Sequence, residues 1–307
     1  MAGLRRHTQS VRRINIEMTN MRFILFFSLG LVAHLHAQVK IDTMHYLGRP
    51  HFRIGTPAAS WYYDRAGGGF SALFDSTGRD WIGFRMQPWG QYPASAASSF
   101  RGMPNLVYRS GDSGAGHPGH DLCVSTQTAP NQITTRSLSG RWVWHWTFYP
   151  TYAILSVDKV DTTHAYWFLY EGTPGGRFSP AAQYFGSDQG GPRYDQPDFY
   201  TQQMEFDHYH WAYFGDTAVE QVLFVGQLTP DTLQDTFSYL GDTEAGVAST
   251  NGMVVFGLGR GPGNRPLFTS LQRFVVGFWP HAVHKEEEHR MLTEYLNILL
   301  TKIAQQP

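Results

Sequence analysis

The stretch SFRGMPNLVYRSGDSGAGHPGHD, Ser99 to Asp121, gathers Arg101, Asn105, Tyr108, Arg109, His117, His120 and Asp121 among several glycines. An imidazole can take or give a proton near neutral pH. A guanidinium can hold a carboxylate or sulfate. Two imidazoles, a guanidinium and a carboxylate in one loop exceed what a turn needs to reverse the chain. The expectation is a working loop, with Arg101 as the anion holder, His117 or His120 as a base and Asn105 as a binding group.

A second candidate is Glu171, in AYWFLYEGTPGG. On a strand, Tyr166, Phe168 and Tyr170 share one face while Trp167, Leu169 and Glu171 share the other. Partial burial at the end of so apolar a strand would raise the pKa of this carboxyl and suit it to acid–base work; the alternative is a carboxylate paired with an arginine or capping the following glycine turn. Tyr170 or Tyr63 is the candidate acid beside it. Hydrolysis of a glycoside would instead ask for two facing carboxylates, for which Asp188 or Asp207 could partner Glu171. In EFDHYHWAYFGD, His208 and His210 are expected on one strand face, where an imidazole pair could begin a metal site. A third ligand is not legible, and no other cofactor is called for. Among the many aromatics, Trp89 and Tyr92 lie outside strand alternation. With Tyr63 they are the candidates for stacking on a sugar ring, which has an apolar face and polar edges.

Other signals fail. GLGRGPG (257–263) follows a strand but opens no helix, so it reads as a turn and not as a phosphate cradle. There is no G-x-S-x-G elbow and no H-E-x-x-H helix.

The elements that must position these groups are mostly strands. Trp142, Trp144 and Trp146 alternate with Val143, His145 and Thr147, and a second run follows Pro150. Phe70–Phe74, Trp81–Phe84, AYWFLYEG, HWAYFGD, QVLFVGQL, MVVFGLGR and RFVVGFWP continue the series, punctuated by Gly, Pro, Asp and Asn. Gln87–Phe100, Arg109–Asp121 and Ser179–Tyr200 read as wide loops. Only the tail changes period: Leu292, Leu296, Leu299 and Ile303 recur at helical spacing after Glu286–Glu288, predicting one amphipathic helix over 284–303. The expected fold is an all-β antiparallel sandwich, a jelly roll or larger, closed by that helix.

Composition narrows the class. Apolar residues are 42% against 16% charged, enough to build a packed core. The net charge is −1 without a basic block after residue 37, so nothing marks a nucleic-acid partner. Cys123 is the sole cysteine, which excludes an internal disulfide and Cys-based zinc sites. MRFILFFSLGLVAHLHAQ, from Met21, has the charged start, apolar core and small terminal residue of a secretory signal. Its apolar run is too short for the roughly 20 residues of a membrane span. The expected organisation is an extension and signal over 1–37, with Met21 as the start, and a single sandwich domain over 38–307. The mature chain would be periplasmic or secreted, without stable membrane insertion.

WYYDRAGGGFSALFDSTGRDWIGF, FRGMPNLVY and YWFLYEGTPGG resemble a family of secreted bacterial β-sandwich proteins. At fold level the pattern is similar to polysaccharide lyases and mutarotase-like carbohydrate-active sandwiches. The resemblance implies a fold and assigns no catalytic residue. The expectation is a secreted protein acting on an extracellular, acidic polysaccharide by lyase-type β-elimination. There Arg101 would neutralise the uronate, His117 or His120 would take the proton, and Tyr170, Tyr63 or Glu171 would return one. Alternatives are a glycoside hydrolase using Glu171, a non-catalytic carbohydrate-binding module, or an envelope protein whose loops meet another protein.

Overall fold

The computed structural model describes residues 39–92, 98–202 and 204–305, all within the unit Gln38–Pro307. The export signal expected over 21–37 lies outside the described residues. Strands β1 (Lys40–Tyr46), β2 (Arg49–Gly55), β3 (Ala59–Asp64) and β4 (Gly69–Asp75) form an antiparallel meander. Next come β5 (Cys123–Ala129), β6 (Gln132–Ser137), β7 (Val143–Phe148), β8 (Tyr152–Lys159), β9 (Phe168–Gly172), β10 (Gln183–Ser187) and β11 (Gly190–Arg193). The series ends with β12 (Glu205–Asp207), β13 (Trp211–Asp216), β14 (Val222–Gln227), β15 (Asp235–Gly241), β16 (Gly252–Leu258), β17 (Arg260–Gly261), β18 (Arg265–Pro266) and β19 (Arg273–Trp279). Helix α1 (Glu286–Ala304) follows them.

One layer is a nine-stranded sheet in the order β11-β10-β13-β14-β19-β8-β7-β6-β5. The facing layer holds the β1–β4 meander and a second four-stranded sheet, β12-β15-β16-β9. Strand alternation sends aromatic rings from both layers into the space between them. Phe70 meets Trp146 with ring centroids 4.8 Å apart, Phe168 meets Phe274 at 4.8 Å and Phe185 meets Phe237 at 4.0 Å. Trp142, Trp144 and Trp146 are fully buried there, as their alternation requires. The result is the antiparallel β-sandwich that the periodicity anticipates.

Helix α1 covers part of the outer face of the nine-stranded sheet. Its buried stripe, Leu292, Leu296, Leu299, Leu300 and Ile303, packs on Trp211, Tyr213, Phe224 and Val275. It starts at Glu286 and not at 284, because the His284 and Lys285 N–H groups both donate to the Glu288 carboxylate and cap the first turn. No helix among the described residues is long and apolar enough to cross a membrane.

Three local expectations are corrected. Trp81–Phe84 is buried but forms no strand. The Asp80 carboxylate takes the N–H groups of Leu73 and Ile82 and folds the segment inward. Ser179–Tyr200 is no plain loop, since it contains β10 and β11. His208 and His210 do not share a strand face. They sit in the crossing between β12 and β13, which belong to different sheets.

Candidate functional site

The two four-stranded sheets are joined by an extended segment that belongs to neither. Phe70 of β4 donates its N–H to the Met103 carbonyl across 2.7 Å. On the other side, Gly102 and Glu171 of β9 exchange N–H···O bonds of 2.8 and 3.0 Å, and Leu169 donates to Pro104 across 2.7 Å. Each side of the segment thereby satisfies main-chain groups that would otherwise be buried unpaired. The chain then doubles back, with Asn105 N–H on the Gly116 carbonyl and Val107 N–H on that of Ala115. Buried Asp64 ties this return loop down. It accepts from Gly119 N–H at 2.8 Å and from Arg49 Nε at 2.7 Å, and Arg49 also reaches the His120 carbonyl at 2.8 Å. The opening stretch of interest is thus laid over the outer face of β9 and β16.

Alternation in and before β9 decides what it meets. Phe168 and Tyr170 join the core between the layers, with Tyr166 ahead of them, whereas Trp167, Leu169 and Glu171 line a cleft of about 410 Å³. Leu240 of β15 and Met253 of β16 extend its apolar floor, and Trp89, Tyr92, Tyr108, His117 and His120 stand around it. Tyr108 stacks on Trp167 with ring planes 13° apart and centroids 4.8 Å apart.

The polar floor is a trio. Asn105 donates its amide N–H to one Glu171 oxygen. The other oxygen lies 3.8 Å from Nη1 of Arg260, too far for a hydrogen bond. Arg260 spends Nε and Nη2 on the Asn264 side chain, at 3.2 and 2.7 Å, and lies over the Trp167 ring, 5.5 Å from its centroid. The Trp167 indole N–H donates to the Asn105 carbonyl across 2.6 Å, so floor and wall are one network. Burial raises the Glu171 carboxyl to about 7, against the opposing pull of Arg260 and the Asn105 amide. Burial also lowers the Arg260 guanidinium from its ordinary value, opposed by Glu171, Tyr108 and Tyr92. Two polar atoms of the trio, Asn105 Oδ1 and Arg260 Nη1, have no hydrogen-bond partner among the described residues.

The histidines differ from one another. Burial, then repulsion from His120, pushes His117 down to about 4, although its ring nitrogens lie 2.6 Å from the Pro118 carbonyl and 3.1 Å from that of Phe100. Neutral His117 donates its single N–H to one of these carbonyls. His120 meets Trp89 edge-on at 4.9 Å and is also lowered, chiefly by burial.

The structure brings His117, His120, Asn105, Glu171, Trp89 and Tyr92 to one cleft and leaves the other candidates out of it. Arg101 is a buried stitch, donating to the Gly83 and Gly252 carbonyls and to Asn251. Tyr170 donates to the Trp81 carbonyl, and Tyr63 to that of Gly68, both with fully buried rings. His208 bonds the Leu233 carbonyl, and no group of three or more His, Cys, Asp or Glu among the described residues could hold a metal ion. Asp188 accepts from His210 N–H and Asp207 from His208 N–H, away from Glu171. The residues missed are Arg260 and Asn264, while Tyr108 and Trp167 were noticed in the loop and on the Glu171 face but given no role. Arg260 was visible only as part of a glycine-rich turn, where Gly259, at φ +67°, reverses the chain against the Phe268 ring.

No family model and no curated protein sequence matches the chain. Solved structures do align with it. HI1317 is 8% identical, with a TM-score of 0.51 over 78% of this chain and 96% of that one. A galactose mutarotase related enzyme from Lactobacillus acidophilus is 9% identical, with a TM-score of 0.46 over 77% of this chain and 99% of that one. A Paenibacillus xanthan lyase is 8% identical, with a TM-score of 0.48 over 92% of this chain but 28% of its own length. At such identities, the alignment with HI1317 is a likeness of fold.

Proposed function

We propose that this chain is a carbohydrate-active protein whose cleft holds a sugar unit and moves a proton on it through Glu171. The observation that carries this reading is a buried carboxyl, raised to about 7, between an amide and a guanidinium beneath aromatic walls. A carboxyl poised near neutrality is present in both protonation states, so it can take a proton from a bound sugar and return one. Apolar rings around a few convergent polar groups suit a ring with one apolar face and hydroxyl edges. Glu171 is the sole carboxylate among the described residues lining the cleft. That favours proton abstraction and return, the class that includes β-elimination, over hydrolysis by two facing carboxylates. Export through the signal read over 21–37 belongs to the same reading, as extracellular polysaccharide is where such a protein would act.

The test is incubation of the chain from Gln38, and of its Glu171→Gln variant, with a panel of acidic and neutral polysaccharides and short saccharides. Unsaturated-uronate absorbance, new reducing ends and anomeric interconversion are followed together. Absorbance or interconversion in the parent, lost in the variant, supports the reading. Retention of saccharide without turnover reduces the protein to a binding module. No retention and no turnover across the panel rejects it.

A further inference from the structure

The cleft floor holds a buried guanidinium that no hydrogen bond ties to its neighbouring carboxyl. Arg260 is 5% exposed, and its one available nitrogen, Nη1, has no hydrogen-bond partner among the described residues. A buried guanidinium donor left open costs free energy unless something occupies it. Its neighbouring carboxyl, Glu171, stands 3.8 Å away. No other Asp or Glu is among the described residues lining the cleft. On the other side of Glu171, the Asn105 amide holds the second carboxyl oxygen. The floor therefore pairs an open cationic donor with one carboxyl. A ligand that fills the donor brings an anionic oxygen.

We infer that the cleft selects a sugar bearing a carboxylate, a uronate unit, with the carboxylate on Arg260 Nη1. This rests on the saccharide reading above and narrows it from sugars in general to acidic ones. Nε and Nη2 are already engaged by Asn264, so Arg260 meets the carboxylate through Nη1 alone. The stack of Trp167 and Tyr108 fixes the guanidinium from one side, which leaves its direction set before any ligand arrives.

The experiment is calorimetric titration of the chain from Gln38 with oligogalacturonate and with the same oligomer methyl-esterified, which removes the charge and keeps the skeleton. A sulfated neutral oligosaccharide is a third arm. The parent is expected to bind the free acid about tenfold or more tightly than the ester, as befits a charge-assisted hydrogen bond made or lost. Arg260→Gln should erase the difference while still binding the ester, which also reports that the variant is folded. Arg260→Lys should keep part of the preference. Equal affinity for acid and ester in the parent overturns the inference, as does a preference that survives in Arg260→Gln. A preference for the sulfated ligand over the free acid also overturns the uronate assignment. Failure of the parent to bind any of the three rejects the saccharide reading itself, a result distinct from binding without discrimination.

Discussion

The Arg260 guanidinium and the Glu171 carboxyl stand 3.8 Å apart, both buried, with no hydrogen bond closing the gap. A cation that close holds a carboxyl pKa down, and burial holds it up. Here burial wins, and the group sits at about 7. The carboxyl ¹³C shift of Glu171, assigned by comparison with Glu171→Gln, should titrate near neutrality. In Arg260→Gln the midpoint should move higher, since the opposing cation is gone. A midpoint in the ordinary glutamate range would remove the basis for proton transfer at this residue.

The same shift has a sign in stability. A carboxyl near 4.5 unfolded and about 7 folded binds its proton more tightly in the native state. Its contribution is full below the unfolded value and is lost as pH rises to the folded one. Between about pH 4.5 and 7 the parent should lose up to roughly 3 kcal/mol relative to Glu171→Gln, with the difference level outside that window. Paired urea titrations across the range measure it. His117, lowered to about 4, acts in the opposite direction in both proteins and cancels in the difference.

Arg101 should matter to folding and not to sugar. Arg101→Met leaves the Gly83 and Gly252 carbonyls and the Asn251 side chain without their donor. Each buried acceptor left open costs about 1–3 kcal/mol. The midpoint of urea unfolding should fall steeply, and saccharide affinity measured well below it should match the parent's. A selective loss of affinity with unchanged stability would return Arg101 to the site.

Tyr92 makes the opposite case. It lines the cleft and is 53% exposed. Tyr92→Ala should leave stability within about 0.5 kcal/mol. It should weaken saccharide binding by about 0.5–1.5 kcal/mol, the range of one aromatic contact. Thermal melts and calorimetry separate the two effects.

Asp64 anchors the return loop through Arg49 and three main-chain N–H groups, those of Ala66, Gly67 and Gly119. Asp64→Ala leaves Arg49 paired with Asp121 but strands these main-chain N–H groups, at about 1–3 kcal/mol for each buried donor left open. Amide exchange in the loop 109–121 should accelerate more than in β13 or β19. Uniform acceleration would mean that Asp64 stabilises the whole molecule without particular hold on the loop.

The fold was legible where one face of an element is buried. The tryptophan alternation of β7, the apolar stripe of α1 and the division of Trp167, Leu169 and Glu171 from Tyr166, Phe168 and Tyr170 all follow from periodicity. Residues of the cleft were legible only where such a face also decides them, as for Glu171, or where a loop falls outside alternation, as for Trp89 and Tyr92. Arg101, Tyr63 and Tyr170 fall outside the cleft because a polar tip inside a sandwich can end on a main-chain carbonyl. Nothing in residue type separates that from a tip aimed at a ligand. Arg260 was hidden for the converse reason: glycines that turn the chain look the same whether or not the turn delivers a charge.

The segment spliced between β4 and β9 also bears on how the molecule comes together. The facing edges of the two four-stranded sheets are closed in part by this stretch of chain, and such long-range pairing is slow to form. Asn105 lies on that stretch and Glu171 on one of the edges it closes, so the polar floor of the cleft exists only once that non-local pairing is in place. Occupancy of the floor therefore reports on the cooperativity of the whole sandwich. A bound ligand should raise the unfolding temperature of the entire chain in proportion to the logarithm of its concentration, instead of protecting the loop alone.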